Sequence, residues 1–205
     1  MKNRLEISDL SLAYGKRTIL EHISFTLAAG EAVALCGENG SGKTTLLTAA
    51  AGILRPTHGK IRRSGKVGYV PQSAALLEDM TFADNLRYFS AIARARVPQV
   101  LPLCADELRP MRVRDMSGGM KKLCSIVCTL VAAPDILLLD EPYAALDEAH
   151  AAMLTDYLGD FLQNGGSLLI AAHDADEYLP LTSHRLLPTD GSMREETLPR
   201  AEAPV

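Results

Sequence analysis

The fold of this chain is decided by one short stretch, Gly37-Glu38-Asn39-Gly40-Ser41-Gly42-Lys43-Thr44. It has the G-x-x-x-x-G-K-[ST] spacing of a phosphate-binding loop, in which glycines let successive backbone N–H groups turn towards a polyphosphate. The apolar run 32–36 predicts a strand before the loop, and 45–51 predicts a helix after it, with its positive end at the phosphates. An accidental glycine turn is the alternative, but it does not explain why all four fixed positions are filled. The stretch therefore predicts binding of a nucleoside triphosphate.

Acidic side chains follow a second predicted strand and add to the chemistry of the loop. Lys43 is expected to reach the β- and γ-phosphates, and the Thr44 hydroxyl to ligate Mg²⁺. The apolar run 136–139 reads as a buried parallel strand that ends at Asp140 and Glu141. The first carboxylate suits a Mg²⁺ ligand, and the second could polarise an attacking water. Acidic residues also end strands without any function, but the pairing with the loop favours the functional interpretation.

Three further features narrow the class of nucleotide-binding protein. The Ser-Gly-Gly sequence at 117–119 opens a predicted helix and offers another anion-binding helix end. Gln72 follows a predicted edge strand, which brings an amide to the site, and His173 follows a predicted buried strand and can donate to a γ-phosphate. Each of these is weak alone, since such serines, glycines and histidines are common in loops and on surfaces. Their positions relative to the loop and to Asp140 make the combination specific.

Length and composition indicate one domain that binds no nucleic acid and does not cross a membrane by itself. The chain has 205 residues, of which 47% are hydrophobic, so it can bury a substantial core. It lacks the uninterrupted apolar run of about 18 residues that a membrane span requires, and 1–6 lacks the apolar core of a signal peptide. A net charge of −4 argues against nucleic acid as the main partner.

The cysteines are expected to be reduced, buried thiols of a cytosolic protein. No C-x-x-C pair occurs, so neither a zinc site nor a disulfide framework is favoured. The four cysteines are Cys36, Cys104, Cys124 and Cys128.

Apolar periodicity predicts an α/β chain with two additions. Alternating runs over 4–27 and 59–70 indicate antiparallel strands, and 168–172 indicates a further buried strand. Helical periodicity begins at a capping box of Thr81 and Asp84. A second helix starts at Ser117, and an amphipathic helix covers 148–163. The apolar stripe of the first helix comprises Phe82, Leu86, Phe89 and Ile92. We expect a mostly parallel core, an antiparallel β edge and a helical insertion at about 72–134, as one domain over 1–195 with a frayed tail over 196–205.

Together these motifs resemble the nucleotide-binding subunit of ATP-binding-cassette (ABC) transporters over about 4–191. The resemblance implies the ABC ATPase fold, a P-loop NTPase core with both additions, and hydrolysis of ATP with Mg²⁺. It implies an adenine-stacking aromatic (Tyr14), a Q-loop (Gln72), a Walker B strand (136–140), a D-loop (145–147) and a switch histidine (His173). The implied nucleotide contacts are Tyr14, Gly37, Glu38, Asn39, Gly40, Ser41, Gly42, Lys43, Thr44, Thr45, Ser117, Gly118, Gly119 and Asp147. The implied catalytic residues are Glu141, His173 and Gln72, and the implied metal ligands are Thr44, Gln72 and Asp140.

Two departures from the family pattern concern the subtype. Met120 stands where the signature usually has glutamine, and Met116 where it usually has leucine, while the serine and both glycines are retained. The sequence from Ser117 to Lys121, and the stretch 76–86, resemble exporters of the ABC-2 class.

The resemblance also implies partners. Two copies, or two homologous subunits, are expected to face head to tail, each phosphate loop closing on the other's Ser117. A separate membrane permease is expected to dock near Ser73–Phe89, with Leu76, Leu77 and Met80 as its contacts, and to hold the subunit at the inner face of the cell membrane. The alternative is a soluble ABC ATPase of a non-transport assembly, such as cluster assembly. A non-ABC kinase or GTPase explains neither 117–119 nor His173, and no Asn-Lys-x-Asp guanine-reading sequence occurs.

Overall fold

The computed structural model describes residues 2–172, 181–182, 184–189 and 192–197, and all structural statements below concern these residues. Within them lie four α-helices and nine strands, with short 3-10 turns at Pro102–Leu108 and Val113–Asp115. In chain order the elements are β1 (Asn3–Tyr14), β2 (Arg17–Ala28), β3 (Ala32–Cys36), α1 (Lys43–Ala50), β4 (His58–Arg63), β5 (Val67–Val70), α2 (Phe82–Ala93), α3 (Gly118–Leu130), β6 (Ile136–Asp140), α4 (Glu148–Gln163), β7 (Ser167–Ala172), β8 (His184–Thr189) and β9 (Ser192–Thr197).

The larger sheet has the strand order β5-β6-β7-β3-β8-β9, and its neighbours are parallel except for the antiparallel pair β8 and β9. Both faces of this sheet are covered. Leu137 and Leu139 of β6 pack in one apolar cluster with α2, α3 and α4. Ile136 and Leu138 point the other way, into a cluster with α1 and the smaller sheet. Burial on both faces is the reason that β6 reads as an uninterrupted apolar run.

The smaller sheet is antiparallel and has the order β2-β1-β4. The predicted antiparallel edge is therefore confirmed for 4–27 and for the first part of 59–70. The expectation is wrong for β5, which joins the larger sheet parallel to β6. Its residues alternate between half-buried and buried because β5 lies at the sheet's edge, and this alternation is also typical of antiparallel strands.

The strands β8 and β9 are additions that the sequence pattern did not predict. β8 pairs parallel with β3, and β9 closes the sheet, with Arg185 and Glu196 joined by a hydrogen-bonded ion pair at 2.8 Å. A charged edge strand lacks the apolar alternation that identifies inner strands. β9 runs to Thr197, two residues past the predicted end of the domain at 195, while 198–205 lie outside the described residues.

Three expectations about the helical segment need correction. Thr81 caps α2 as predicted and accepts a hydrogen bond from the Asp84 N–H, but Ile92, expected in the apolar stripe, is 64% exposed. Cys104, expected to be buried, is exposed. Leu76, expected to face a partner, packs half-buried against the core instead. None of the helices in the described ranges has the length and apolar character needed to cross a membrane.

One side chain of the smaller sheet fastens that sheet to the helix after the phosphate loop. Arg63 Nε donates to the Ala50 carbonyl at 2.6 Å, and its Nη2 donates to the Ala49 carbonyl at 2.7 Å. The last carbonyls of a helix lack partners within the helix, and a cation is favourable at this negative end. Arg63 therefore caps α1 from β4, at the end opposite the glycine loop.

We expect Arg63→Met to lower the free energy of unfolding by about 1 kcal/mol, because it removes two charge-assisted hydrogen bonds to the end of α1. The matched control is Arg62→Met, since Arg62 is 78% exposed and, among the described residues, forms an ion pair with Glu6 at 3.8 Å. Urea denaturation followed by circular dichroism measures both. Equal midpoints for the two variants would show that the cap contributes nothing.

Candidate functional site: a phosphate loop facing two strand ends

The register of the parallel strands brings the predicted site residues to one edge of the sheet. Cys36 at the end of β3 lies opposite Ala172 at the end of β7, and Asp140 at the end of β6 lies opposite Ala171. The last residue of β5, Val70, lies beside Leu139. The segments that follow β3, β5 and β6 therefore leave the sheet side by side. His173 follows β7 directly but lies outside the described residues.

The glycine loop curls as a phosphate-binding loop requires. Gly37, Gly40 and Gly42 have φ values of 154°, 82° and 101°, a region that side chains disfavour. Lys43 begins α1 and is only 6% exposed. Its ammonium donates to the carbonyls of Gly37 and Glu38, the latter at 3.0 Å. The cation is thus held over the loop, beside the free N–H groups at the start of α1.

A hydroxyl and a buried carboxylate meet beside the loop. The Thr44 hydroxyl donates to Asp140 Oδ2 at 2.7 Å, and Asp140 is 1% exposed. Burial raises the pKa of Asp140, and the hydrogen bond from Thr44 opposes that shift. Hydroxyl and carboxylate oxygens are the ligands that Mg²⁺ prefers, so the donor set present here fits that ion.

The second acidic residue has a different partner. The Gln72 amide donates from Nε2 to Glu141 Oε2 at 2.9 Å, although the two residues come from different strand ends. Glu141 has a left-handed backbone, with φ of 48°, and its N–H donates to the Ala171 carbonyl at 3.0 Å. Residues held in this region cost about 1–3 kcal/mol and cluster at functional sites. Glu141 is therefore turned out of the strand direction, towards Gln72.

These groups line a cavity of about 510 Å³. Its lining is Arg17, Ile19, Asn39, Gly40, Gly42, Lys43, Thr44, Thr45, Gln72 and Glu141. Arg17 and Ile19 were not predicted, since nothing in their sequence context points to a nucleotide. Tyr14, expected to stack on adenine, is 53% exposed and outside this lining, but it pairs with Arg17 across the turn between β1 and β2. Tyr14 therefore stands next to the cavity rather than in it.

The Ser-Gly-Gly motif lies elsewhere. Ser117 caps α3, and its hydroxyl accepts from the Met120 N–H at 3.2 Å. Asp147 caps α4 in the same way, accepting from the His150 N–H at 2.9 Å. Both caps line a second cavity of about 430 Å³, whose lining shares no residue with the first. Within one chain, the structure therefore does not bring Ser117 or Asp147 to the phosphate loop.

The start of α3 packs tightly against the loop before α4. A Cβ on Gly119 would lie 2.3 Å from the Ala145 carbonyl oxygen, which is closer than atoms can approach. A Cβ on Gly118 would meet the Ala145 Cβ at 3.6 Å, an ordinary contact. Ala145 itself has a left-handed φ of 65°. The second glycine is thus required by packing inside the chain.

A glycine loop at a helix N-terminus, facing the acidic end of a parallel strand, defines a P-loop nucleoside triphosphatase. The family model for the ABC transporter matches residues 20–144, which is more than half of the chain. The chain belongs to that family, binds and hydrolyses ATP, and is the ATPase subunit of a transporter. The resemblance and the ABC ATPase fold predicted from the sequence are confirmed.

Relatives and solved structures agree with this assignment. The cytochrome c biogenesis ATP-binding export protein CcmA of Ruegeria pomeroyi is 36% identical over 82% of this chain and 84% of its own length. The zinc import ATP-binding protein ZnuC of Roseobacter denitrificans is 34% identical over 83% of this chain and 69% of its own length. A solved ATP-binding subunit of an ABC transporter superposes with a TM-score of 0.84 at 26% identity, covering 95% of this chain and 90% of that one. The similar proteins thus include an exporter and an importer.

The packing at Gly119 has a measurable consequence. Gly119→Ala is expected to lower stability by about 1–3 kcal/mol, because the Ala145 carbonyl must move away from the new methyl group. Gly118→Ala is the control. Its melting temperature is expected to stay close to that of the parent, since the new methyl group makes only an ordinary contact. Thermal denaturation of the nucleotide-free chain measures both, without any contribution from a partner. Identical melting temperatures would contradict the packing requirement.

Proposed function

We propose that this chain closes head to tail on a second copy, or on a homologous ABC subunit, around two Mg·ATP and so drives a separate membrane permease. The observation that carries this proposal is the separation of two phosphate-binding features in one chain. The glycine loop and the Ser117 helix end line different cavities. A second chain that brings its Ser117 to the first chain's loop gives both features a shared ligand. Charge-assisted hydrogen bonds from both chains to one polyphosphate then stabilise the closed dimer.

The residues of the first cavity have distinct proposed roles. Lys43 and the N–H groups at the start of α1 bind the β- and γ-phosphates, and Tyr14 stacks on the adenine beside the cavity. Thr44, Asp140 and Gln72 would hold Mg²⁺, which neutralises phosphate charge when bound. Glu141 accepts the proton of the attacking water, and Gln72 orients its carboxylate through the hydrogen bond of 2.9 Å. His173, outside the described residues, donates to the γ-phosphate.

The proposed docking surface for the permease lies within Ser73–Phe89 and is formed by Leu77 and Met80, which are 38% and 44% exposed. The backbone of this segment is hydrogen-bonded to a buried side chain of α2. The buried Asn85 accepts from the Leu77 N–H at 2.8 Å and donates to the carbonyls of Leu77 and Thr81 at 3.1 and 3.0 Å. Two exposed apolar side chains on a hydrogen-bonded segment that follows Gln72 in the chain suit a short helix from a partner, which would sense movement of the nucleotide site.

The direction of transport and the place of action are also proposed. Export is favoured by the sequence from Ser117 to Lys121 and by the stretch 76–86, although similar proteins include the zinc import protein as well as the cytochrome c biogenesis export protein. With an exporter permease as its anchor, the subunit acts at the cytoplasmic face of the cell membrane. The alternative is a soluble ABC ATPase of a non-transport assembly, which would leave Leu77 and Met80 without a membrane partner.

The head-to-tail model predicts a trapped dimer. Glu141→Gln keeps the shape of the side chain but removes the base, so we expect hydrolysis to fall by about 100-fold while ATP binding remains. Light scattering with saturating Mg·ATP is expected to show dimers for this variant. Glu21→Gln, the same chemical change at an exposed position of β2, is expected to behave as the parent. Monomeric Glu141→Gln under these conditions would count against a homodimer, and mixing with a homologous subunit would then decide for or against a heterodimer.

The docking surface makes a separate prediction. Leu77→Glu is expected to reduce the membrane-bound fraction of the chain in its own host by about tenfold, as loss of one central interface contact would. Melting temperature and ATP affinity should stay unchanged. Ile92→Glu is the matched control, because Ile92 is an exposed apolar residue of α2 outside Ser73–Phe89. A folded Leu77→Glu variant that stays on the membrane would exclude this surface. A parent chain that never associates with membranes would favour the soluble assembly.

A further inference from the structure

Lys122 is a buried cation that none of the motifs above includes. It lies in α3, on the face directed at the sheet, and is 4% exposed. Its ammonium donates to three backbone carbonyls, those of Pro71 at 3.1 Å, Gln72 at 2.8 Å and Asp140 at 3.3 Å. An ammonium has three N–H donors, so these three contacts account for all of them.

The three carbonyls belong to the two strand ends that carry the proposed catalytic pair. Pro71 and Gln72 follow β5, and Asp140 ends β6 immediately before Glu141. The β5–β6 ladder ends at Val70 and Leu139, so backbone pairing between these strands stops just before Gln72 and Glu141. Beyond the end of this ladder, the Lys122 ammonium links the two segments, because it donates hydrogen bonds to both of them.

Two nearby carboxylates offset part of the cost of burying the Lys122 ammonium. Burial lowers the pKa of Lys122, while the negative charges of Asp140 and Glu141 oppose that shift. In return, the Lys122 charge favours the ionised form of Asp140. A buried cation is costly unless it is paired and hydrogen-bonded. Here the two strand ends supply both the hydrogen-bond acceptors and the negative charges. The lysine and these segments therefore stabilise one another.

We propose that Lys122 is a positioning residue for ATP hydrolysis, which holds the backbone at Gln72 and Asp140 so that the Gln72 amide meets the Glu141 carboxylate. This inference rests on the roles proposed above for Gln72 and Glu141. Because Lys122 belongs to the helix that Ser117 caps, it also connects the Ser-Gly-Gly motif of α3 with the catalytic pair of the same chain. A movement of α3 is thereby transmitted to the geometry of hydrolysis.

The neighbouring residue provides a matched control. The Lys121 side chain is 26% exposed, and its ammonium pairs at 2.9 Å with Glu78, which is 67% exposed. Exposed ion pairs of this kind contribute little to stability. Lys121→Met and Lys122→Met therefore make the same chemical change at adjacent positions of one helix, and only the second removes the link between the strand ends.

The test separates kcat from KM for the purified 205-residue chain, with active sites counted by ATP titration. We expect Lys122→Met to lower kcat by about 100-fold, the scale that small misplacement of catalytic groups produces, with KM within about threefold of the parent. Lys122→Arg, which keeps the charge and the donors, should recover most of the loss, and Lys121→Met should match the parent. A purely structural lysine would lower the melting temperature and the number of active sites, but not kcat per active site.

Three outcomes would overturn the proposal: a parental kcat per site for Lys122→Met, an equal loss for Lys121→Met, or no recovery with Lys122→Arg. If Lys122→Met does not fold, Lys122→Gln is compared in the same way, since its amide can still donate to two carbonyls. Hydrogen exchange of the nucleotide-free chain gives a readout without activity, and faster exchange is expected at the amides of 72–73 and 140–141 only. Glu141→Gln, measured in parallel, keeps the two proposals apart: if it loses activity and Lys122→Met does not, only the positioning role fails.

Discussion

The hydrogen bond from the Thr44 hydroxyl to the Asp140 carboxylate joins the beginning of α1 to the end of β6, 96 residues further along the chain. It depends on parallel register, because only strands that run the same way bring the residues after them to one edge. Because β3, β7 and β6 lie side by side in parallel register, the glycine loop and the acidic pair leave the sheet at the same edge, where this hydrogen bond can form. Two cations make contacts that strand pairing does not supply. Arg63 caps the far end of α1, and Lys122 bonds the segments beyond the end of the β5–β6 ladder.

The rest of the chain is arranged around this edge in two unequal halves. The smaller sheet and α1 cover one face of the larger sheet. Helices α2, α3 and α4 cover the other face, and the Ser-Gly-Gly motif at the start of α3 lies away from the glycine loop. The contact between Gly119 and Ala145 makes the start of α3 and the turn before α4 one packed unit, with Ser117 and Asp147 on the same cavity. The two phosphate-binding features therefore lie on separately packed parts of the chain, which suits the proposed reaction, controlled by how two chains approach.

The sequence was sufficient for the parts of the fold in which local chemistry and position agree. The glycine loop, the strand ending at Asp140 and the caps at Thr81 and Ser117 are fixed by short-range requirements, and the structure has them where expected. The partner of β5 was missed because an edge strand alternates in the same way in either kind of sheet. The charged strand β9 was missed because its stability comes from pairing with β8 rather than from apolar burial. Which apolar residues of Ser73–Phe89 are exposed also depends on tertiary packing, and periodicity alone does not separate Leu76 from Leu77.

Lys122 illustrates a different limit of sequence reasoning. A lysine next to another lysine near the start of a helix is usually interpreted as part of a solvated face, and Lys121 does pair with the exposed Glu78. Lys122 differs from Lys121 only in its position around the helix. One residue further along α3 rotates the side chain by about 100°, which places the Lys122 ammonium against the strand ends. At that place the chain has carbonyls that the β5–β6 ladder leaves unpaired, together with two carboxylates, and a cation is the group that satisfies both. The requirement is created by the end of a strand ladder, so it becomes visible only once the register of the sheet is known.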